Sequence, residues 1–287
     1  MIEKAHIKKN LKKLAFPRLS GTEFELKAFN IVKREVENLN LKFKIQRFTF
    51  SSFYSRIYPK IAFLSVSLIF LILNFNLYLI LSFTLILPLL GILIISVILT
   101  RKPEKIQFVT RLNSQNLLVK IKSLSYDIKN KDRIIMFISH LDSKGQRFKI
   151  KTRIRIIKLW ISSSIILAVI IILKIIVFLD YKILYYLIGL ILSILNIFAS
   201  ILILLNITDN RSAGAVDNAS GIVCNLELVN YYANPENRLS NYNLWFLFTG
   251  AEECGTMGIR HFYNNLKNFN PKKSIIFNLE SIANHVY

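Results

Sequence analysis

The sequence predicts an α/β protein: a three-layer sandwich around a largely mixed or parallel central sheet, interrupted by two transmembrane helical hairpins. Three observations carry this expectation. Short apolar runs of strand character alternate with segments of helical period through the polar parts of the chain. Two long apolar blocks, at 61–99 and about 156–205, cut across that alternation. Basic residues cluster where the polar sequence resumes.

The elements follow in order. Residues 22–39 put Phe24, Ala28, Ile31, Val32, Val36 and Leu39 on one face of a helix. LKFKIQRFTF, at 41–50, alternates as a half-buried strand does. NLLVKI (116–121) and RIIMFIS (133–139) read as strands, and the second is apolar enough to lie centrally in the sheet. Residues 219–233 form an amphipathic helix. NLWFLFT (243–249) and SIIFNLE (274–280) are expected to be two more buried strands.

Residues 61–99 contain no charge at all. A bilayer takes about 20 apolar residues per helix, so this block holds two spans. Asn74 and Asn76 mark the expected turn; in the second block Asp180, Tyr181 and Lys182 do the same. Each hairpin returns the chain to the side it left. The polar segments 1–56, 101–155 and 207–287 then make one discontinuous domain, with hairpins at 57–100 and 156–206. Arg101, Lys102 and Lys105 follow the first hairpin, and Lys149, Lys151, Arg153, Arg155 and Lys158 lead into the second. The far side offers only Lys182, with Lys174 nearby. By the positive-inside rule the polar domain faces the cytoplasm. The same cations suit anionic lipid headgroups.

Composition narrows the function classes. Of 287 residues 53% are hydrophobic, above the soluble norm, and the formal net charge is +21. Abundant Lys, Ile, Asn and Phe reflect an AT-rich coding bias as much as a partner. No zinc-finger spacing or aromatic RNA-binding motif is present, so a nucleic-acid partner is not expected. Cys224 and Cys254 have no paired spacing and read as reduced thiols. No secretory signal opens the sequence.

The chemistry gathers at strand ends. RIIMFIS runs into His140, Leu141 and Asp142; NLWFLFTGA into Glu252 and Glu253; SIIFNL into Glu280. AGAVDNASG sets Asp217 ahead of a helix. Ligands of open α/β sheets collect beyond the carboxyl ends of the strands, so these groups are expected at one rim. Carboxylates crowded there repel one another unless a cation joins them. Imidazole with carboxylates suits zinc, and a bridging carboxylate lets two ions share one water. Of two adjacent glutamates, one can bind metal while the other acts as general base.

In this order the motifs resemble the co-catalytic zinc aminopeptidase family, which includes aminopeptidase Y, bacterial leucyl aminopeptidases and glutamate carboxypeptidase II. The resemblance covers nearly all of the non-membrane sequence. PRLSGTEFELKAFNIVKREVENL looks like the family's N-terminal helix entry. SHLDS resembles its first zinc motif, AGAVDNASG its bridging-aspartate motif, GAEECGTMGIRHF its Glu-Glu motif, and FNLES its Asn-Leu-Asp/Glu motif. The resemblance implies a zinc-exopeptidase fold and two zinc ions. His140, with Asp142 orienting it, and Glu280 would hold the first ion, Asp217 would bridge, and Glu253 would hold the second. Glu252 would be the general base. Glu280 stands where aspartate is usual. Asn218 and Gly221 match the motif and shape the loop.

The family's last zinc ligand is a histidine well downstream of Glu280; here only His285 follows, so the chain reads as C-terminally incomplete. His6 and His261 read as structural, and Cys254 as packing. The implied function is a membrane-anchored exopeptidase, an aminopeptidase, that cleaves N-terminal peptide bonds with a metal-bound hydroxide. Two alternatives stay open: a truncated or degenerate non-catalytic metal-binding membrane protein, and a single-zinc glutaminyl cyclase.

Overall fold

The structure is a computed structural model that describes residues 4–75, 78–124, 133–176, 182–266 and 269–282. The chain divides into two compact units. One, the sheet unit, comprises Met1–Ser52, Glu104–Gly145 and Asp209–Tyr287. The other, the helical unit, comprises Phe53–Pro103 and Gln146–Thr208.

In the sheet unit five strands form one mixed sheet in the order β1-β2-β6-β3-β7. They are β1 (Phe43–Ser51), β2 (Arg111–Ile121), β3 (Ile134–His140), β6 (Asn243–Thr249) and β7 (Ser274–Asn278). β1, β2 and β6 pair antiparallel, whereas β3 runs parallel to both β6 and β7. Parallel strands end at a common edge, so the residues following β3, β6 and β7 emerge at the same rim. The register is tight there: His140 pairs with Thr249, and Ile138 with Asn278. The two shortest strands, β4 (Gly145–Gln146) and β5 (Thr208–Asp209), pair with each other.

Helices cover both faces. On one lie α1 (Lys4–Leu14), α2 (Glu23–Asn38) and α7 (Gly221–Ala233). Leu14, Ala28, Val32, Val36, Ile222 and Val229 pack there onto Leu117, Val119, Leu244, Phe246 and Phe248. On the other face α8 (Met257–Asn264) sends Phe262 and Ile259 against Leu118, Met136, Trp245 and Leu247. Each fully buried aliphatic or aromatic side chain contributes about 1.5–3 kcal/mol relative to exposure. The neighbours of β3 bury its apolar run as expected of a central strand.

Two expectations need correction. The buried stripe of α2 is Glu25, Ala28, Phe29, Val32 and Val36. Phe24 is 41% exposed, because the stripe is rotated by one residue and a carboxylate continues it. β7 is not a buried strand: Ile275, Ile276 and Phe277 are each more than 40% exposed. Among the described residues it pairs only with β3, so it is an edge.

The helical unit consists of a π-type turn, Phe53–Ile57, then α3 (Tyr58–Phe75), α4 (Leu79–Thr100), α5 (Ile150–Ile176) and α6 (Lys182–Leu205). All four helices are long and apolar enough to cross a membrane. α5 begins before the expected boundary, because Lys151, Arg153 and Arg155 continue the helix rather than cap it. Asn74 sits in the last turn of α3 instead of in a turn between helices, while Asn76, Asp180 and Tyr181 lie outside the described residues. Asn74 approaches α6 where Gly189 leaves room: a Cβ there would stand 2.0 Å from its Oδ1.

A closed polar cluster ties three of these helices together. Asn196 of α6, fully buried, donates to Trp160 O and to the hydroxyls of Ser163 and Ser164, all of α5. Its Oδ1 accepts from Ser67 of α3 at 2.5 Å, and Ser67 also accepts from Trp160 Nε1. In an apolar surrounding such groups are costly unless paired, and these are paired.

Candidate functional site

The rim where β3, β6 and β7 end collects the acidic residues. β3 delivers His140, which is 4% exposed. A carbonyl can only accept, so His140 Nδ1 carries the proton it shares with Asp142 O at 3.0 Å. That turns Nε2 toward the rim. Nε2 lies 3.1 Å from Asp217 Oδ1, yet this buried nitrogen makes no hydrogen bond of acceptable geometry. Asp217 belongs to the π-type turn Ala215–Ser220 that leads into α7. Glu280 follows β7. One ligand atom from each of His140, Asp217 and Glu280 falls within 4.8 Å of the others, close enough to hold a metal ion.

The expected site residues therefore divide. His140, Asp217 and Glu280 come together. The Glu252 carboxylate feels the charges of His140, Asp142, Glu280 and Asp217. Glu253 is not in the three-residue group; its Oε2 lies 3.8 Å from Lys144 Nζ. Asp142 is fully buried, its carboxylate beneath the Glu-Glu loop. Its two oxygens accept from the backbone N–H groups of Glu252 and Glu253, each at 3.0 Å, and from Ser20 Oγ at 2.5 Å. Toward His140 it offers the backbone oxygen at 3.0 Å and Oδ1 at 3.4 Å. His285 lies outside the described residues.

Asn218 and Gly221 gain specific contacts. Asn218 Nδ2 donates to Leu279 O, and its Oδ1 accepts from Ser281 N, which ties the Asp217 loop to the end of β7. A Cβ on Gly221 would stand 2.2 Å from both Asn218 Oδ1 and Leu279 O, so only glycine fits. His6 instead donates from Nδ1 to Glu227 at 2.6 Å, and His261 stacks on Phe48. Cys254 is buried, and neither cysteine forms a disulfide.

The electrostatics suit a cation. Burial, with Asp142 and Asp217 adding, pushes Glu253 up to about 7, against Lys144. Burial also raises Glu252. Burial opposes charge on His140, but Asp142 and Asp217 close to its ring nitrogens, with the charges of Asp142 and Glu252, outweigh it and lift its pKa well above the usual value. Asp142 stays below the usual carboxylate range despite burial, because His140, the Ser20 hydroxyl and the Glu253 amide favour its charge. An imidazole nitrogen facing carboxylate oxygens is a zinc-type donor set once it gives up its proton, and the orphaned Nε2 fits such an ion.

The residues that sequence reading missed come from the N-terminal segment. Arg18, fully buried, donates to the carbonyls of Leu14, Phe16, Leu141, Ala213 and Gly214. It thereby fastens the His140 and Asp217 loops to the end of α1. Burial lowers its pKa to about 10, with Asp142 and Asp217 opposing. Glu25 accepts from Gly21 N, Ala251 N and Ser114 Oγ. The available signal was a carboxylate at position 25, in line with Ala28 and Val32 on a helical apolar face.

Residues 195–286 match the family model described as peptidase family M28. No curated protein matches the chain in sequence. Among solved structures, an aminopeptidase from Aneurinibacillus sp. strain AM-1 is similar with a TM-score of 0.50 at 14% identity, over 98% of this chain and 71% of that one. BSAP, a zinc aminopeptidase from Bacillus subtilis, gives 0.48 at 14% identity, over 98% and 70%. A glutaminyl cyclase from Fimbriiglobus ruber gives 0.43 at 13% identity, over 92% of this chain and 55% of its own length. The likeness to the Aneurinibacillus enzyme is one of fold. The family match covers residues 195–286, less than half of the chain.

Proposed function

We propose that the chain is a membrane-anchored, zinc-dependent exopeptidase, an aminopeptidase, whose catalytic part is the discontinuous domain formed by 1–56, 101–155 and 207–287. The observation that carries this reading is the convergence of His140 Nε2, Asp217 and Glu280 within 4.8 Å at the rim, with that nitrogen otherwise unbonded.

In this reading His140, Asp217 and Glu280 would hold one ion, and Asp217 and Glu253 would hold a second. Zinc, when bound, supplies Lewis acidity that makes water nucleophilic near neutral pH. The chain's own residues do the rest. Glu252 takes the water's proton and passes it to the leaving amine, a role that its raised pKa suits. Asp142 fixes the imidazole of His140 and the backbone of Glu252 and Glu253 at once. Arg18 holds the two ligand loops at their fixed spacing. Peptides with a free amino end are the substrates.

The four apolar helices support anchoring as two hairpins, and the basic flanks support a cytoplasmic catalytic domain, with anionic lipid as the surface met by those flanks. The test is purified chain with stoichiometric zinc, assayed on aminoacyl p-nitroanilides. Zinc-dependent release of the free amino acid supports the reading. Ammonia release from N-terminal glutamine peptides without hydrolysis would replace it with a cyclase, and zero bound zinc with a scaffold. A reporter after Tyr287 that is labelled from outside intact cells would overturn the orientation.

A further inference from the structure

The Glu-Glu loop leaves β6 without backbone partners for its first four amides. Each instead donates to a side chain from another element. Gly250 N meets Asn116 Oδ1 at 3.1 Å, Ala251 N meets Glu25 Oε1 at 2.7 Å, and Glu252 N and Glu253 N meet the two oxygens of Asp142 at 3.0 Å. The Glu25 bond is the shortest of the four. It falls on the residue whose backbone is least at ease, because buried Ala251 has φ +51°, a conformation that a non-glycine residue adopts only when held. The fit around that bond is close. A Cβ on Gly250 would stand 2.0 Å from Ser114 Oγ and 2.8 Å from Glu25 Oε1.

We propose that Glu25 is a positioning residue for the general base: its carboxyl locks Ala251 in the left-handed region and thereby aims Glu252 at the rim. The inference rests on the reading above, in which Glu252 moves the proton. Glu25 is built for the task. It is 1% exposed, and both of its oxygens are engaged: Oε1 by Ala251 N and Ser114 Oγ, Oε2 by Gly21 N. Gly21 opens the turn that starts α2, so one carboxyl joins the start of that helix to the end of β6. Asp142 holds the next two amides. Two buried acids thus clamp three consecutive peptide groups, and the side chain between the clamps is Glu252. A general base must sit within about 2.6–3.2 Å of the proton it takes, and a shift of about 1 Å costs on the order of 100-fold in rate.

The experiment compares Glu25→Ala and Glu25→Gln in the full-length, zinc-loaded chain. It follows kcat, KM, zinc content and amide exchange of residues 250–253. Glu25→Ala is expected to lower kcat by about 100-fold with KM within about threefold and zinc retained, the mark of misaimed chemistry. Exchange should accelerate at 250–253 and not in β3 or the body of β6. Glu25→Gln keeps an oxygen for Ala251 N but sets its NH2 against Gly21 N, so it should recover part of the lost rate, about tenfold. If Glu25→Ala does not fold, Glu25→Asp, shorter by one methylene, makes the same comparison. A folded variant with kcat within threefold of the parent overturns the proposal, as does faster exchange spread through β3 and β6. If the parent itself hydrolyses no peptide, the proposed function fails. Glu25 is then judged by exchange alone: acceleration confined to 250–253 supports its role, and unchanged exchange overturns it.

Discussion

Two buried polar clusters, one in each unit, are treated in opposite ways. In the helical unit Asn196 spends its amide on Trp160 O, Ser163 and Ser164 and its carbonyl on Ser67, so the cluster is complete within the protein. At the rim of the sheet unit His140 Nε2 is buried with no hydrogen bond, amid Asp217, Glu280, Glu252 and Glu253. A closed polar cluster costs nothing further and fixes how helices pack. An open one stores a demand for something from outside, here positive charge. The unpaired group, more than the polar one, points to function.

The sharpest way to break this contrast is at Glu252. Glu252→Gln keeps the shape and removes the base. It is expected to lower turnover by about 10²–10⁴-fold while zinc content, read by elemental analysis, stays at the parent level. Activity equal to the parent would remove Glu252 from the chemistry.

Next in size is His140→Ala, which removes the open nitrogen itself. Zinc affinity, measured by competition with a chromophoric chelator, should weaken by at least about 100-fold, more than the loss of a residue that only orients a ligand. Unchanged affinity would mean that the ion, if any, binds elsewhere.

Protonation gives a smaller, graded version of the same demand. Burial raises Glu252, and holds Glu253 at about 7, so below that pH a proton competes with any cation at Glu253. Zinc affinity should therefore rise by up to about tenfold per pH unit between pH 5 and 7, and continue to rise above that while His140 loses its proton. Stability carries the opposite sign without metal. A folded-state pKa above the unfolded one gives stability that is present at low pH and lost as pH rises through it. Glu252, Glu253 and His140 are all shifted that way; Asp142 is shifted down, so its contribution is lost only as pH falls below this window. The unfolding midpoint of the metal-free chain should fall from pH 5 to 7, and that of the zinc-loaded chain should rise. Parallel slopes would show that the rim does not bind the ion through these groups.

Most of the rim was legible in the sequence because its residues sit at the ends of recognisable strands. RIIMFIS, NLWFLFT and SIIFN announce themselves by apolar content, and parallel pairing brings their ends together. What stayed hidden depends on orientation. Glu25 looks like a solvated first-turn acid until the helix phase is known, and a one-residue rotation of α2 exchanges it for Phe24. Arg18 does its work through backbone carbonyls, which carry no sequence signature. The exposure of β7 was also illegible, since an apolar strand reads alike with one neighbour or two. Glu253 fits its motif, yet it stands beside Lys144 and outside the three-residue group.

The smallest effect is expected where the polar cluster is already closed. Asn196→Leu removes four hydrogen bonds, but Ser67 and Ser163 have fallbacks. Ser67 Oγ already bonds Phe63 O at 3.0 Å, and Ser163 Oγ bonds Trp160 O at 3.0 Å. Trp160 Nε1 keeps Ser67. Interhelical polar contacts in an apolar medium are worth about 0.6–2 kcal/mol, because freed groups find other partners. The variant should lose about that much stability in detergent unfolding, with zinc affinity within about twofold of the parent, a difference of roughly 0.4 kcal/mol on the scale of tenfold per 1.4 kcal/mol. A large loss of zinc binding on Asn196→Leu would break the contrast, because the closed cluster would then be setting the geometry of the open one.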